Sequence, residues 1–136
     1  MKKSLIFAAW GISLLFSSVA SAQTPEAVPV VVNPNLPALY TEEQATAGGE
    51  AFAQSCGGCH GADMIGIFAT YATGKAYYDF ISAGMPMDQP GSLSPRRYLS
   101  IMAWLMQQNG FPAGDTALTD SPANLNQIIP TDAVAE

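Results

Sequence analysis

Residues 56–60 read Cys56-Gly57-Gly58-Cys59-His60 and are followed by Gly61. Two thiols three residues apart lie on one face of a helical turn, and the imidazole follows the second directly. That spacing lets both sulfurs reach one flat molecule while the ring nitrogen reaches its centre. C-x-x-C-H is the attachment pattern of a c-type haem, held by two thioethers and one histidine. A zinc site would need two more cysteine or histidine ligands, and the chain has only two cysteines and one histidine. A thioredoxin-like pair expects a β-α-β context, which the surrounding pattern lacks. A plain disulfide would leave His60 unexplained.

Outward from this motif, the chain reads as helices. Thr41-Glu42-Glu43-Gln44 fits a capping box, with Gln44 reaching back to the start of a helix that runs to about Ser55. Gly48 and Gly49 sit inside that helix at a cost of about 1 kcal/mol each relative to alanine, so something must pack very close there. A second helix is predicted over 74–83, with Thr73 as cap, Tyr77, Phe80 and Ile81 on one face, and Gly84 and Pro86 ending it. A third begins near Ser94 with Pro95 in its first position. Its stripe is Tyr98, Ile101, Met102 and Leu105, with Trp104 beside it, and Asn109-Gly110 closes it. Ser121-Pro122 resembles another cap, with Leu125, Ile128 and Ile129 at helical spacing in a short terminal turn or helix. Segment 61–73 reads as a short loop.

The N-terminus has a separate logic. Lys2 and Lys3 precede an apolar stretch over 5–19, diluted by serines, and Ala20-Ser21-Ala22 is an A-x-A cleavage pattern. Residues 1–22 therefore read as an export signal with Gln23 as the mature start, and a periplasmic location is expected. The membrane is involved only if that segment is retained. Residues 23–40 carry Pro25, Pro29, Pro34 and Pro37, which exclude a helix. They read as an extended arm, a tether or a strap on a partner subunit, in which the stretch 28–32 could pair as a short edge strand. Residues 41–114 form the domain, and 115–136 a tail.

Composition sets outer bounds. The 136 residues make one domain, with 5 basic residues against 11 acidic ones and a net charge of −6. Only Lys75, Arg96 and Arg97 remain as cations beyond the signal, so a nucleic-acid partner is not expected. Arg96 and Arg97 fall in a helix's first turn, where cations oppose the dipole. They read as solvated surface groups, or as partners of a haem propionate or of an acid on another subunit.

The region 41–114 resembles the class I cytochrome c family. Four pieces carry the resemblance: Gly48-x-x-x-Phe52-x-x-x-Cys56, the motif Cys56–Gly61, Gly84-Met85-Pro86, and Ala103-Trp104-Leu105. The resemblance implies an all-α domain of three main helices around one covalently bound haem c, with irregular arm and tail. It also implies that the first and last helices cross with glycine against aromatic, which would account for Gly48 and Trp104. One departure is that no proline lies between His60 and Pro86, where many members use a proline carbonyl to orient the haem histidine.

With one histidine, bis-histidine ligation within the chain is excluded. Met64 follows His60 too closely to reach the opposite haem face, and Met102 and Met106 read as core. Met85 and Met87 remain as sixth-ligand candidates, and the family's ligand loop matches Met85. The expected site is thus Cys56, Cys59, His60 and Met85, with His60 and Met85 on the iron. The stretches 85–94 and 109–114 resemble cytochromes that accept electrons from quinoprotein dehydrogenases. The resemblance implies one-electron transfer, not substrate turnover. The donor would be a quinoprotein alcohol, aldehyde or sugar dehydrogenase, and the acceptor a further cytochrome or terminal oxidase. The alternative is a gas-binding or peroxide-reactive haem protein with an open sixth position.

Overall fold

A computed structural model describes residues 30–61 and 63–134; the export signal expected over 1–22 lies outside the described residues. Five α-helices appear in the order α1 (Glu42–Ser55), α2 (Asp63–Phe68), α3 (Gly74–Gly84), α4 (Pro95–Gln108) and α5 (Pro122–Leu125), followed by a 3₁₀ turn over Pro130–Val134. Among the described residues there is no strand. The all-α expectation holds at that level. No described helix is long and apolar enough to cross a membrane.

The three long helices begin where local chemistry places them. Thr41, Thr73 and Ser94 each accept a bond from the backbone N–H three residues on, at 3.2, 3.1 and 3.3 Å. Each satisfies one of the amides that a helix start leaves without an intrahelical partner. Gln44 behaves differently from the capping-box expectation. Its side chain does not return to Thr41; its Nε2 donates to the Leu118 carbonyl at 2.9 Å and its Oε1 accepts from the Leu118 N–H at 2.7 Å. A pair of bonds to a buried backbone outweighs one bond to an exposed helix end. Ser121 also differs: it precedes α5 without a side-chain capping bond.

Helix α4 is the centre of the molecule, with Met102, Ala103, Leu105 and Met106 fully buried. Helix α1 lies against it, and α2 and α3 also pack on it. The α1–α4 contact is made by the glycines. A Cβ on Gly48 would stand 1.8 Å from the Ser100 carbonyl oxygen, and one on Gly49 would stand 3.0 Å from the Trp104 ring. Trp104 then packs on Phe52 with ring centroids 4.5 Å apart.

Segment 61–73 is not a plain loop, because α2 forms within it. Phe68 of α2 meets Tyr77 and Phe111 edge-on, at 5.2 and 6.3 Å. Asn109, at the end of α4, donates to the Ile65 carbonyl at 3.1 Å. Tertiary contacts thus support a helix too short to be stable alone.

The end of the Pro-rich arm is neither tether nor strand. Residues 30–40 lie on this chain's own body. Asn33 N–H donates to the Gly110 carbonyl at 2.9 Å, and Gly114 N–H to the Tyr40 carbonyl at 2.7 Å. Tyr40, 1 % exposed, donates its hydroxyl to the Phe111 carbonyl at 2.6 Å. Gly110 has φ +79°, and a Cβ there would lie 2.5 Å from the Val31 carbonyl oxygen. Left-handed backbone and close approach both call for glycine. The tail is anchored at α3, where Gly74 N–H donates to the Ile128 carbonyl at 2.8 Å and Leu125 and Ile128 are buried.

Candidate cofactor site

Helix α1 ends at the motif. The N–H groups of Cys56 and Gly57 both donate to the Phe52 carbonyl at 2.8 Å. The Cys56 carbonyl then accepts from Cys59 N–H at 3.0 Å and His60 N–H at 2.9 Å. The five residues form a tight turn about one carbonyl, which carries both cysteines and the histidine at the end of a helix fixed against α4. Neither thiol is in a disulfide; Cys56 is half-buried and Cys59 exposed. Burial pushes the Cys56 thiol up, and the Arg97 guanidinium partly opposes that shift.

Both cysteines and His60 line one cleft of about 550 Å³. Its size lies within the range of about 300–1,000 Å³ that small-molecule and cofactor sites occupy. The lining also includes Met85, Pro86, Met87 and Leu93 from the segment after α3, together with Phe52, Met64, Tyr77, Ile81, Tyr98 and Ile101. The lining is mainly apolar. The four residues expected to act together, Cys56, Cys59, His60 and Met85, therefore share one cavity although Met85 is remote from the motif in sequence. Met102 and Met106 are fully buried in the core, as their spacing predicts, and neither borders the cleft.

Met85 and Met87 are separated by burial. Met87 is 78 % exposed, whereas Met85 is half-buried against the core. Met85 follows α3, and its N–H still donates to the Ile81 carbonyl at 3.0 Å. Its carbonyl accepts from the Tyr98 hydroxyl at 2.6 Å and from Gly91 N–H at 3.3 Å. The helical stripe of α4 predicts Tyr98 only as a core residue. A buried tyrosine, unlike phenylalanine, needs a hydroxyl partner, and the Met85 carbonyl supplies it. Tyr77 is also buried on the cleft wall; burial, reinforced by Cys56 and Tyr71, holds its hydroxyl well above the usual range.

The two arginines part ways. Arg96 is exposed, while Arg97 is half-buried and donates to Gln54 Oε1 at 2.6 Å. The reading of both as solvated therefore holds for Arg96 alone. Arg97 Nε is buried without a partner, beside a shallow groove of about 240 Å³ shared with Glu50, Gln54 and Ser94.

A c-type haem fits this donor set: two thiols and an imidazole on one turn, with the Met85 thioether and mainly apolar side chains in the same lining. Among the described residues no cluster of three or more His, Cys, Asp or Glu is placed to hold a metal ion directly. The chain matches no protein-family model, no curated protein and no solved structure at a significant level.

Proposed function

We propose that the chain is a class I-like c-type cytochrome that transfers single electrons in the periplasm. The observation that carries this reading is the shared cavity, where the C-x-x-C-H turn and Met85 face one apolar space of about 550 Å³. When bound there, haem c supplies a one-electron couple at its iron. Cys56 and Cys59 would hold it through thioethers, and His60 and Met85 would bind its iron. Histidine and methionine together raise the potential of a haem, which suits an acceptor of electrons from an oxidised organic substrate. Phe52, Tyr77, Ile81 and Ile101 give the cleft an apolar wall, which would limit solvent reorganisation when charge changes. With His60 and Met85 both binding the iron, the chain would leave no open position for a substrate, and the protein would act as a carrier.

The donor would be a quinoprotein dehydrogenase acting on an alcohol, aldehyde or sugar. The acceptor would be a downstream cytochrome or terminal oxidase. Both follow from the resemblance of stretches 85–94 and 109–114.

The test is a visible spectrum of protein matured in an export-competent host, oxidised and reduced, with carbon monoxide added to the reduced form. A low-spin spectrum with the weak sulfur-to-iron charge-transfer band, unmoved by carbon monoxide, is expected. A high-spin or carbon monoxide-responsive spectrum would replace electron transfer with gas binding.

A further inference from the structure

We infer that Tyr98 is a positioning residue that locks the Met85 loop shut and so sets how readily an outside ligand displaces Met85. The inference rests on the reading of Met85 as an axial ligand. Tyr98 is 3 % exposed and lies in the first turn of α4. Its hydroxyl donates to the Met85 carbonyl at 2.6 Å and accepts from Leu93 N–H at 3.4 Å. One oxygen atom thereby ties together the two ends of segment 85–93. Between those ends the loop is exposed from Met87 to Ser92, and its other bonds are internal: Gly91 N–H to the Met85 carbonyl, Gln89 N–H to the Pro86 carbonyl, and Ser92 N–H to the Gln89 carbonyl.

The direction of control follows from where Tyr98 is mounted. Ser100, two residues on, is in backbone contact with Gly48 of α1, the helix that ends at Cys56. The hydroxyl therefore belongs to the same rigid helix pair as the C-x-x-C-H turn, whereas the loop's start is held otherwise by the bond from Met85 N–H to the Ile81 carbonyl of α3. Swinging Met85 out of the cleft moves its backbone and breaks the Tyr98 bond. Retaining the bond fixes the carbonyl oxygen, two bonds from the Cα that carries the thioether side chain. A neutral hydrogen bond of this kind alters an equilibrium by about three- to tenfold.

The experiment uses ferric holoprotein with imidazole as the displacing ligand. Wild-type protein is examined first for the sulfur-to-iron band. If that band is missing, the axial reading of Met85 fails on wild type alone, before any variant is considered. With the band present, Tyr98→Phe is expected to bind imidazole about three- to tenfold more tightly, and Tyr78→Phe, on α3 and outside the cleft, to leave the affinity unchanged. Global unfolding is followed in parallel by far-ultraviolet circular dichroism. An unfolding midpoint that moves while imidazole affinity stays at the wild-type value would overturn the inference, because it assigns Tyr98 to packing alone. A second measurement needs no variant. Saturating imidazole should speed amide hydrogen exchange at Gly91 and Leu93 in wild-type protein, as the loop opens with the departing ligand. Unchanged exchange at both amides would equally overturn it.

Discussion

Gly48 of α1 and Ser100 of α4 meet backbone to backbone: a single added carbon on Gly48 would stand 1.8 Å from the Ser100 carbonyl oxygen. Neither partner is the end of a flexible side chain, so the helices must separate to admit it. Gly48→Ala is expected to destabilise the holoprotein by more than about 3 kcal/mol, beyond ordinary overpacking. Gly49→Ala meets only the Trp104 ring at 3.0 Å and gains helix propensity, so it should stay within about 1 kcal/mol of wild type. Urea unfolding of the two variants side by side checks the contrast.

The methionines of the 85–93 loop should respond differently to truncation. Met85→Ala is expected to abolish the sulfur-to-iron band and open the reduced protein to carbon monoxide. Met87, 78 % exposed, should be replaceable by alanine with the spectrum intact. Retention of the band in Met85→Ala and its loss in Met87→Ala would reverse the assignment.

Under the proposed function, covalent attachment through Cys56 and Cys59 predicts behaviour under denaturing conditions. Haem should stay with the chain through a denaturing gel in wild type and in either Cys56→Ala or Cys59→Ala, each of which keeps one thioether. The double variant should release it. Cys59 is exposed and Cys56 half-buried, so Cys56→Ala should also cost the more in folding.

Alkaline pH should weaken the fold through Tyr40. Burial, with a smaller contribution from Glu42, pushes its hydroxyl up to about 12. The unfolded chain ionises this group first, near its ordinary value of about 10. Its stabilisation is thus whole below pH ~10 and is lost as pH rises from there towards 12. Tyr40→Phe removes the bond to Phe111, so it should be less stable at neutral pH and show a shallower decline across that window. Chemical denaturation between pH 8 and 12 measures both slopes.

Gln44 is the clasp of the C-terminal tail. Gln44→Leu leaves both backbone groups of buried Leu118 without their partner. A loss of about 1–3 kcal/mol is expected, with faster amide exchange at Leu118 and earlier proteolysis beyond residue 114. Helix α1 itself keeps its Thr41 cap and should exchange as before.

What the sequence discloses is what is local. Thr41, Thr73 and Ser94 cap helices because the deciding bond spans three residues. Two glycines inside α1 announce a close neighbour, and Trp104 is a sensible partner for them. The C-x-x-C-H turn needs only five residues to define itself. The rest depends on distant contacts. Gln44 finds Leu118 across 74 positions, which no local capping pattern can foretell. Helix α2 has Gly66 within six residues and is supported from outside by Asn109 and Phe111. Prolines exclude a helix over 23–40 but do not say where the arm rests. At the candidate site the four expected residues line one cleft, whereas the Tyr98 hydroxyl, fixed by a bond to a carbonyl 13 residues earlier, is not legible in the sequence.

Phe52, Met64, Tyr77, Ile81, Tyr98 and Ile101 belong at once to the buried core and to the wall of the cleft. Under the proposed function, the interior of this small chain is unfinished until its prosthetic group is in place. Loading and folding then become one thermodynamic event, since whatever occupies only the folded cavity draws the chain towards that state. A chain exported faster than it is loaded would be spent on proteases, so the cell's stock of this protein would follow its haem supply as well as its own synthesis.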